Sequence, residues 1–496
     1  MENLDNLKPI IIGITGHRQI RQQDIPQLKK AVKEELQAVI LKCPNSPVML
    51  LTSLAEGADQ LCASVAVELN IGLIVALPME VSEYKRDFQD AALLNFEKLL
   101  ARSQHVLIVP KIEQYNGFPS RDYYYRQADI YIATHSHALL ALWDGGAPKR
   151  GGCGTAETVD MVLNHSYAKR RCTCYEDGFV IHIKTPRDEI SDDAGVTTYL
   201  GNRKVFNDSL EKLEELNKAG GDPDKVSIEN GKKYHKNLLW LAILGTALTL
   251  AFLLYDEIMI KWMVIVLGAM LLVMSLVFKA ASKSKCHDYY VEYRVFAECL
   301  RVQNHLSHIG SRIEIADFLD WTDRFDTPWI HKAMQTTTVT REIDTSEDIN
   351  FDWIRDQQRY HEAAAVNTQK KIKRSNAILK TALIVSISIY ILALVYEYLI
   401  AGYMGAYEEL IRIILKVLVG TASAASLFAA NYYGKLSLKR VYEDHVRMAS
   451  YYKTASVYLD NHGLSQHFLY ELINEELSEN SNWSSYEKDN EIDFAI

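Results

Sequence analysis

The sequence predicts an α/β head built on a doubly wound parallel sheet, followed by an all-α membrane domain with four transmembrane helices in two hairpins. Three observations carry that expectation. The first 190 residues alternate short apolar runs with amphipathic stretches, and four long uncharged apolar runs follow. Basic residues flank each pair of those runs, while acidic residues sit between the members of a pair.

The strand signals of the head are Ile10–Thr15, Val48–Ser53, Gly72–Pro78, His105–Pro110, Ala138–Trp143 and Phe179–Lys184. Each is a short apolar run of buried-strand type. Between them lie helical stretches such as Gln27–Leu41 and Ala58–Leu69. Such alternation implies a parallel sheet covered on both faces, and ligands of such sheets bind at the carboxyl ends of the strands.

The apolar runs are Leu238–Tyr255, Trp262–Phe278, Thr381–Tyr396 and Val417–Gly434. With their flanks each reaches the length of about 17 to 25 residues that a helix needs to cross a bilayer. No Asp, Glu, Lys or Arg falls within these runs, which argues against a proton-coupled transporter. The first pair is preceded by Lys232, Lys233 and Lys236 and followed by Lys279, Lys283 and Lys285, while its turn holds Asp256, Glu257 and a single Lys261. The second is preceded by Lys370, Lys371, Lys373 and Arg374 and followed by Lys435, Lys439 and Arg440. Its turn holds Glu397, Glu408 and Glu409. The basic flanks place both turns outside and every large segment in the cytoplasm, giving a multi-pass protein of the inner (cytoplasmic) membrane with a cytoplasmic N-terminal domain and C-terminus. No signal peptide is evident.

A length of 496 residues leaves room for two or three domains. The 48% apolar content and mean hydropathy of −0.10 fit membrane helices diluted by charged ones. The net charge of −9 argues against nucleic-acid binding, and the stretch from Glu475 to Asp493 reads as a solvated acidic tail. Seven cysteines show no metal spacing: Cys172 and Cys174 form a C-x-C without a second pair, so neither a metal nor a cofactor is expected. The expected layout is a head over 1–190, a connector over 191–236, hairpins with trailing helices over 237–310 and 351–470, a linker over 311–350 and the tail over 471–496.

Candidate site residues cluster at the predicted strand ends. After the first strand comes Gly13-Ile14-Thr15-Gly16-His17-Arg18, where glycines permit close backbone approach and Thr15, His17 and Arg18 offer donors to a phosphate or ribose. After the second, Ser53 to Asp59 enters a helix whose N-terminus attracts an anion. There Glu56 and Asp59 can accept from ribose hydroxyls, with Gly57 between them; Asp59 as a simple helix cap is the plainer alternative. The fifth strand leads to Asp144 and Gly145, and then to Gly151, Gly152, Gly154, Thr155 and Glu157, a glycine-rich turn opening a helix that can cradle a phosphate. It is neither a Walker A loop nor a dinucleotide fingerprint. Upstream, Tyr123, Tyr124, Tyr125 and Arg126 offer an aromatic to stack on a base, or are half-buried helix surface.

As a set, these loops resemble the SLOG superfamily, the Rossmann-like group that includes the LOG nucleotide phosphoribohydrolases and DprA-like proteins, over roughly residues 8–190. In LOG enzymes the last loop reads P-G-G-x-G-T-x-x-E, and its glutamate is implicated in cleaving the glycosidic bond. Here Gly151, Gly152, Gly154 and Thr155 match, but no proline precedes them and Thr158 stands where that glutamate falls. Glu157 is one place early, about 100° around a helix, so the resemblance implies a binding site without a catalytic residue. A membrane-anchored nucleotide N-glycosidase using Glu157 or Glu56 is the alternative.

The second half reads as an internal repeat. Each hairpin is followed by a tyrosine-rich amphipathic helix, Asp288–His305 and then Tyr442–Tyr458. This layout is similar to the SLATT family, the two-transmembrane effector domains that accompany SLOG and nucleotide-cyclase-like proteins in bacterial conflict systems, here as two tandem copies over roughly 226–470. The last apolar run is rich in small residues, among them Gly420, Ala422, Ser423, Ala424, Ala425 and Ser426, which let helices approach closely. The two resemblances imply a membrane effector in antiviral defence, sensing a nucleotide-derived signal and permeabilising the membrane. Its expected partners are that ligand, membrane lipid and further copies of the chain.

Overall fold

A computed structural model describes residues 6–113, 119–148, 153–164, 178–187, 193–258, 262–324, 327–340 and 352–489. The described chain divides into two compact units, one of residues 1–225 with 295–347 and the other of 226–294 with 348–496.

The first unit is organised by a seven-stranded sheet with strands β1 (Ile10–Gly16), β2 (Val48–Thr52), β3 (Gly72–Leu77), β4 (His105–Ile108), β5 (Ala138–Trp143), β6 (Phe179–Lys184) and β7 (Thr197–Gly201). Their order is β4-β3-β2-β1-β5-β6-β7. Every pairing is parallel except β6 with β7. The central strands are apolar on both faces, and Ile10, Ile11 and Ile12 are all wholly buried, because helices cover the sheet on either side. These are α1 (Ile25–Lys42), α2 (Ala58–Glu68), α3 (Val81–Tyr84), α4 (Asp90–Leu100), α5 (Arg121–Thr134), α6 (Thr155–Asn164) and α7 (Arg203–Lys218). Successive strands leave β1 on one side up to β4, and the chain then crosses to β5 on its other side. That reversal is the switch point at which such sheets open a crevice.

β7 and α7 occupy a stretch expected as a polar connector. β7 is an edge strand with only Thr, Tyr, Leu and Gly in it and no buried residue, so it lacks the apolar run that marked the others. The break after α7 is as the glycines suggest: Gly220 and Gly221 both have positive φ, at 93° and 75°, a conformation that suits glycine at a helix end.

The segment expected to link the two hairpins contributes to this same unit. It carries α11 (Asp320–Arg324) and α12 (Pro328–Thr337). Trp329, Ile330 and Met334 are buried, and Thr336 lies 3.3 Å from the buried His137 of the β5 approach.

The second unit is all helical: α8 (Pro223–Ile258), α9 (Met263–Lys283), the first part of α10 (Cys286–His308), α13 (Asp352–Val395), α14 (Glu408–Lys435), α15 (Leu438–His462) and α16 (Gln466–Asp489). Among the described residues four helices are long and apolar enough to cross a membrane, and almost none of each apolar window is buried within the chain. The protein is a multi-pass membrane protein. Such faces need lipid, or other chains, rather than water.

The two hairpins share one feature of local geometry. Lys285, between α9 and α10, and Ser437, between α14 and α15, are both left-handed, with φ of 47° and 49°. Each breaks the chain at the same place, between the second apolar run and the tyrosine-rich helix. Lys416 of α14 pairs with Glu257 and lies 3.5 Å from Asp256 at the end of α8, so the two hairpin turns lie at one end of the unit.

The C-terminal stretch departs from expectation. Instead of a solvated acidic tail it continues as α16, with Phe468, Leu469, Leu472, Ile473 and Leu477 buried. The i, i+3, i+4 spacing of these residues was masked by the surrounding glutamates. Tyr452 donates to Glu476 and Tyr458 stacks on Phe468 at 4.8 Å, both tying α16 to α15.

Candidate functional site

A cleft of about 730 Å³ opens at the carboxyl ends of the sheet, where β1, β2 and β3 give way to their loops. Of the residues singled out from sequence, Thr15, Gly16, His17, Arg18, Ser53, Asp59, Gly154 and Thr155 line it. Glu56 is exposed and lies outside the lining. Asp144 contacts the lining residues His17 and Arg187 from behind, Gly145 is exposed and outside the lining, and Gly151 and Gly152 lie outside the described residues. Gly13 is inside β1, where a Cβ would meet the Ser136 Oγ at 2.2 Å, so it packs the sheet against the end of α5 and takes no part in the turn.

Close approach explains Gly57 better than ligand binding does. It has φ of 88°, and a Cβ there would lie 2.2 Å from the Arg18 carbonyl oxygen. The Ala58 amide donates to the His17 carbonyl at 3.0 Å. The start of α2 is thus locked beneath the first loop, fixing where Arg18 emerges. The Asp59 carboxylate accepts from Thr52 Oγ1 (3.0 Å), Ser53 Oγ (3.2 Å) and the Ala55 amide (3.4 Å). The carboxylate thus ties the loop after β2 to the first turn of α2; the N-cap is Gly57 and no side chain caps the helix, so the capping alternative does not describe Asp59.

The cationic side of the cleft is made by Arg18, Arg21 and Arg187. The Arg18 guanidinium lies over the Tyr125 ring, 5.1 Å from its centroid, an arrangement that holds a cation and leaves its edge to donate. Tyr125 is itself fixed, donating to Asp87, which pairs with Arg121 at 2.5 Å. Arg21 pairs with Asp24 at 2.6 Å. The Nη2 of Arg187 lies 2.7 Å from Nδ1 of the buried His17, whose Nε2 faces the Asp144 amide at 3.0 Å and its carboxylate at 3.4 Å. Burial, followed by the Arg187 charge, pushes the His17 pKa down despite Asp144. Burial alone would raise Asp144, but the Gly146 amide, His17 and Arg187 outweigh it and hold the carboxyl below its ordinary value. A neutral imidazole therefore bridges Arg187 to an ionised carboxylate.

The acidic side was not foreseen. Asp122, Tyr125 and Asp129 line the cleft from α5, and their spacing of three and four residues puts them on one helical face. Burial pushes the Asp129 carboxyl up to about 7; the nearby Asp59 adds to the rise, and Thr158, Arg126 and Glu157 act more weakly, the first two against it. Asp59 is raised to about 6 by burial, against its three hydrogen bonds and Arg18. The two carboxyls thus resist holding two charges at once. Thr158, at the position where LOG enzymes carry their glutamate, is wholly buried, and its Oγ1 donates to the Gly154 carbonyl at 3.0 Å. Glu157 does not line the cleft, although its Oε2 would lie 3.6 Å from a Cβ on Gly154. Cys153 also lines it, and burial, with Asp129 and Asp122 nearby, raises its thiol to about 11, so it stays protonated at neutral pH. Among the described residues no group of three or more His, Cys, Asp or Glu side chains is arranged to hold a metal.

The arrangement can grip an anion at the arginine edge while offering acceptors to hydroxyl or amino groups at the α5 edge. Its volume falls within the range of about 300–1,000 Å³ typical of small-molecule sites. No protein-family model matches this chain, and no curated protein matches it.

Proposed function

We propose that the chain is a membrane effector whose head binds a nucleotide-derived signal in this cleft, and that binding changes the arrangement of the membrane-spanning helices so that the membrane leaks. The observation that carries this reading is the pairing, in one cleft at the carboxyl ends of a doubly wound sheet, of three guanidinium groups with a tyrosine ring and the carboxyls of Asp59, Asp122 and Asp129. Phosphate suits the first, a base the second, and ribose hydroxyls the third. The head faces the cytoplasm in this reading, because the basic flanks of both hairpins do. A role in antiviral defence ending in abortive infection follows from the resemblance to SLOG and SLATT proteins.

A hydrolytic reading has its own support in Asp129, a carboxyl raised toward neutral pH beside the ligand space, as a general acid must be. Both readings meet in one experiment. The full chain, purified in detergent, is titrated with a panel of nucleoside monophosphates, diphosphates and cyclic nucleotides, and free base is measured alongside binding. A sensor binds at least one of them and releases no base; Arg18→Ala weakens that binding by about 10- to 100-fold through loss of a charge-assisted bond, and Gly154→Asp weakens it by setting a carboxylate against the phosphate. Equal binding by the parent and both variants would refute the site. Release of base that disappears in Asp129→Asn would instead establish the hydrolase.

A further inference from the structure

A second cavity, of about 490 Å³, lies within the helical unit. It is built where three apolar runs reach their basic ends: His235 stands just before the first run, Arg374 and Ser375 just before the third, and Tyr432 to Lys435 at the end of the fourth. The cavity therefore sits at the level where lipid headgroups meet the chain, on the side marked by the lysines and arginines.

Three cations line it, Lys371, Arg374 and Lys435. No carboxylate pairs with Lys371 or Arg374 among the described residues. The aromatic wall is Tyr290 packed edge-on against Trp483 at 5.7 Å, with Tyr432 and Tyr433 beside it. Aromatic rings of this kind settle at the membrane–water boundary, apolar body toward the lipid and polar tip toward water. Two features ask for an occupant. The His235 Nδ1 is buried with no hydrogen-bond partner among the described residues, a deficit that a bound group relieves. Glu487, the one carboxyl in the lining, is buried, and burial pushes it up to about 7, so near neutral pH it carries only part of its charge and can itself donate.

We propose that this cavity holds the phosphoryl headgroup of an anionic membrane lipid, with Lys371, Arg374 and Lys435 facing the phosphate and the aromatic wall against the glycerol and upper acyl chain. Such a lipid would bridge the basic ends of α8, α13 and α14. The inference rests on the membrane location of the helices and is independent of what the head binds.

The test is thermal unfolding of the detergent-solubilised full chain, followed by tryptophan emission, with phosphatidylglycerol, phosphatidylcholine or inorganic phosphate added. Phosphatidylglycerol should raise the melting temperature at concentrations where the other two do not. In Lys371→Gln with Arg374→Gln the half-saturating concentration should rise about thirtyfold, each cation near an anionic headgroup contributing comparably. Lys370→Gln with Lys373→Gln, on the same flank but outside the cavity, should leave it unchanged. Equal stabilisation by phosphatidylcholine would remove the headgroup from the account. Full stabilisation by inorganic phosphate would assign the site to a soluble anion, and equal losses in the two double variants would reduce it to diffuse charge. Any of these overturns the proposal.

Discussion

Asp129 shows at the scale of one side chain what the cleft costs the fold. Its carboxyl and that of Asp59 hold a proton more tightly in the folded chain than in the unfolded one. Stability from such groups is fully present below the unfolded value of about 4 and is lost as pH rises through the folded values. Those are about 6 for Asp59 and about 7 for Asp129. The contribution of these two groups to the melting temperature of the full chain should therefore fall between about pH 4 and 7, and Asp129→Asn should flatten the upper part of that fall, between about 6 and 7. An unchanged slope in the variant would show that Asp129 titrates normally. Sequence alone located the loops that carry Thr15, His17 and Arg18, because glycines and polar residues there interrupt an apolar strand. It did not locate Arg21, Arg187 or Asp129, which come from the far side of a turn, from a stretch after β6, and from the interior of a helix. Only the i, i+3, i+7 spacing of Asp122, Tyr125 and Asp129 could have drawn attention to that helix face.

Elements were legible where their pattern was strong and hidden where composition masked it. Five parallel strands stand out by continuous burial and four apolar helices by length; β4, read as a buried strand from its apolar run, is an edge strand with Val106 and Ile108 exposed. The edge strand β7 and the helix α16 do not stand out, the one lacking an apolar run and the other carrying its apolar stripe among glutamates. The small residues of α14 have a definite use. A Cβ on Gly420 would lie 2.5 Å from Leu253 Cδ1 of α8, and one on Gly245 of α8 would lie 2.6 Å from the Phe428 ring. The two glycines interlock, so close packing is what they provide here. The Ser386 and Ser426 hydroxyls, 2.9 Å apart, join α13 to α14 in the same way. Gly420→Val should destabilise the detergent-solubilised chain by about 1–3 kcal/mol through overpacking. Gly268→Val in α9, where a Cβ meets nothing within 4 Å, is the matched control. Equal melting temperatures for the two variants would mean that α8 and α14 do not meet at Gly420.

At the scale of the whole molecule, the chain leaves its sheet-based unit, makes one hairpin, returns to that unit over 295–347 and leaves again for the second hairpin. Sequence reasoning treated 311–350 as a linker, because its tryptophans and Pro328 carry no periodic signal of their own. The burial of Trp329, Ile330 and Met334 depends on surfaces supplied by α7 and the approach to β5, which no local pattern records. A ligand can shift such a molecule only by binding one arrangement more tightly than another. The direct measurement is release of a trapped dye from liposomes carrying the full chain, with the nucleotide panel added on the side of the head and Arg18→Ala run beside the parent. The account predicts that a nucleotide bound by the parent opens those liposomes while liposomes carrying Arg18→Ala, which no longer bind it, stay sealed. Release at the same rate from both, or a bound nucleotide that leaves the parent sealed, would contradict it.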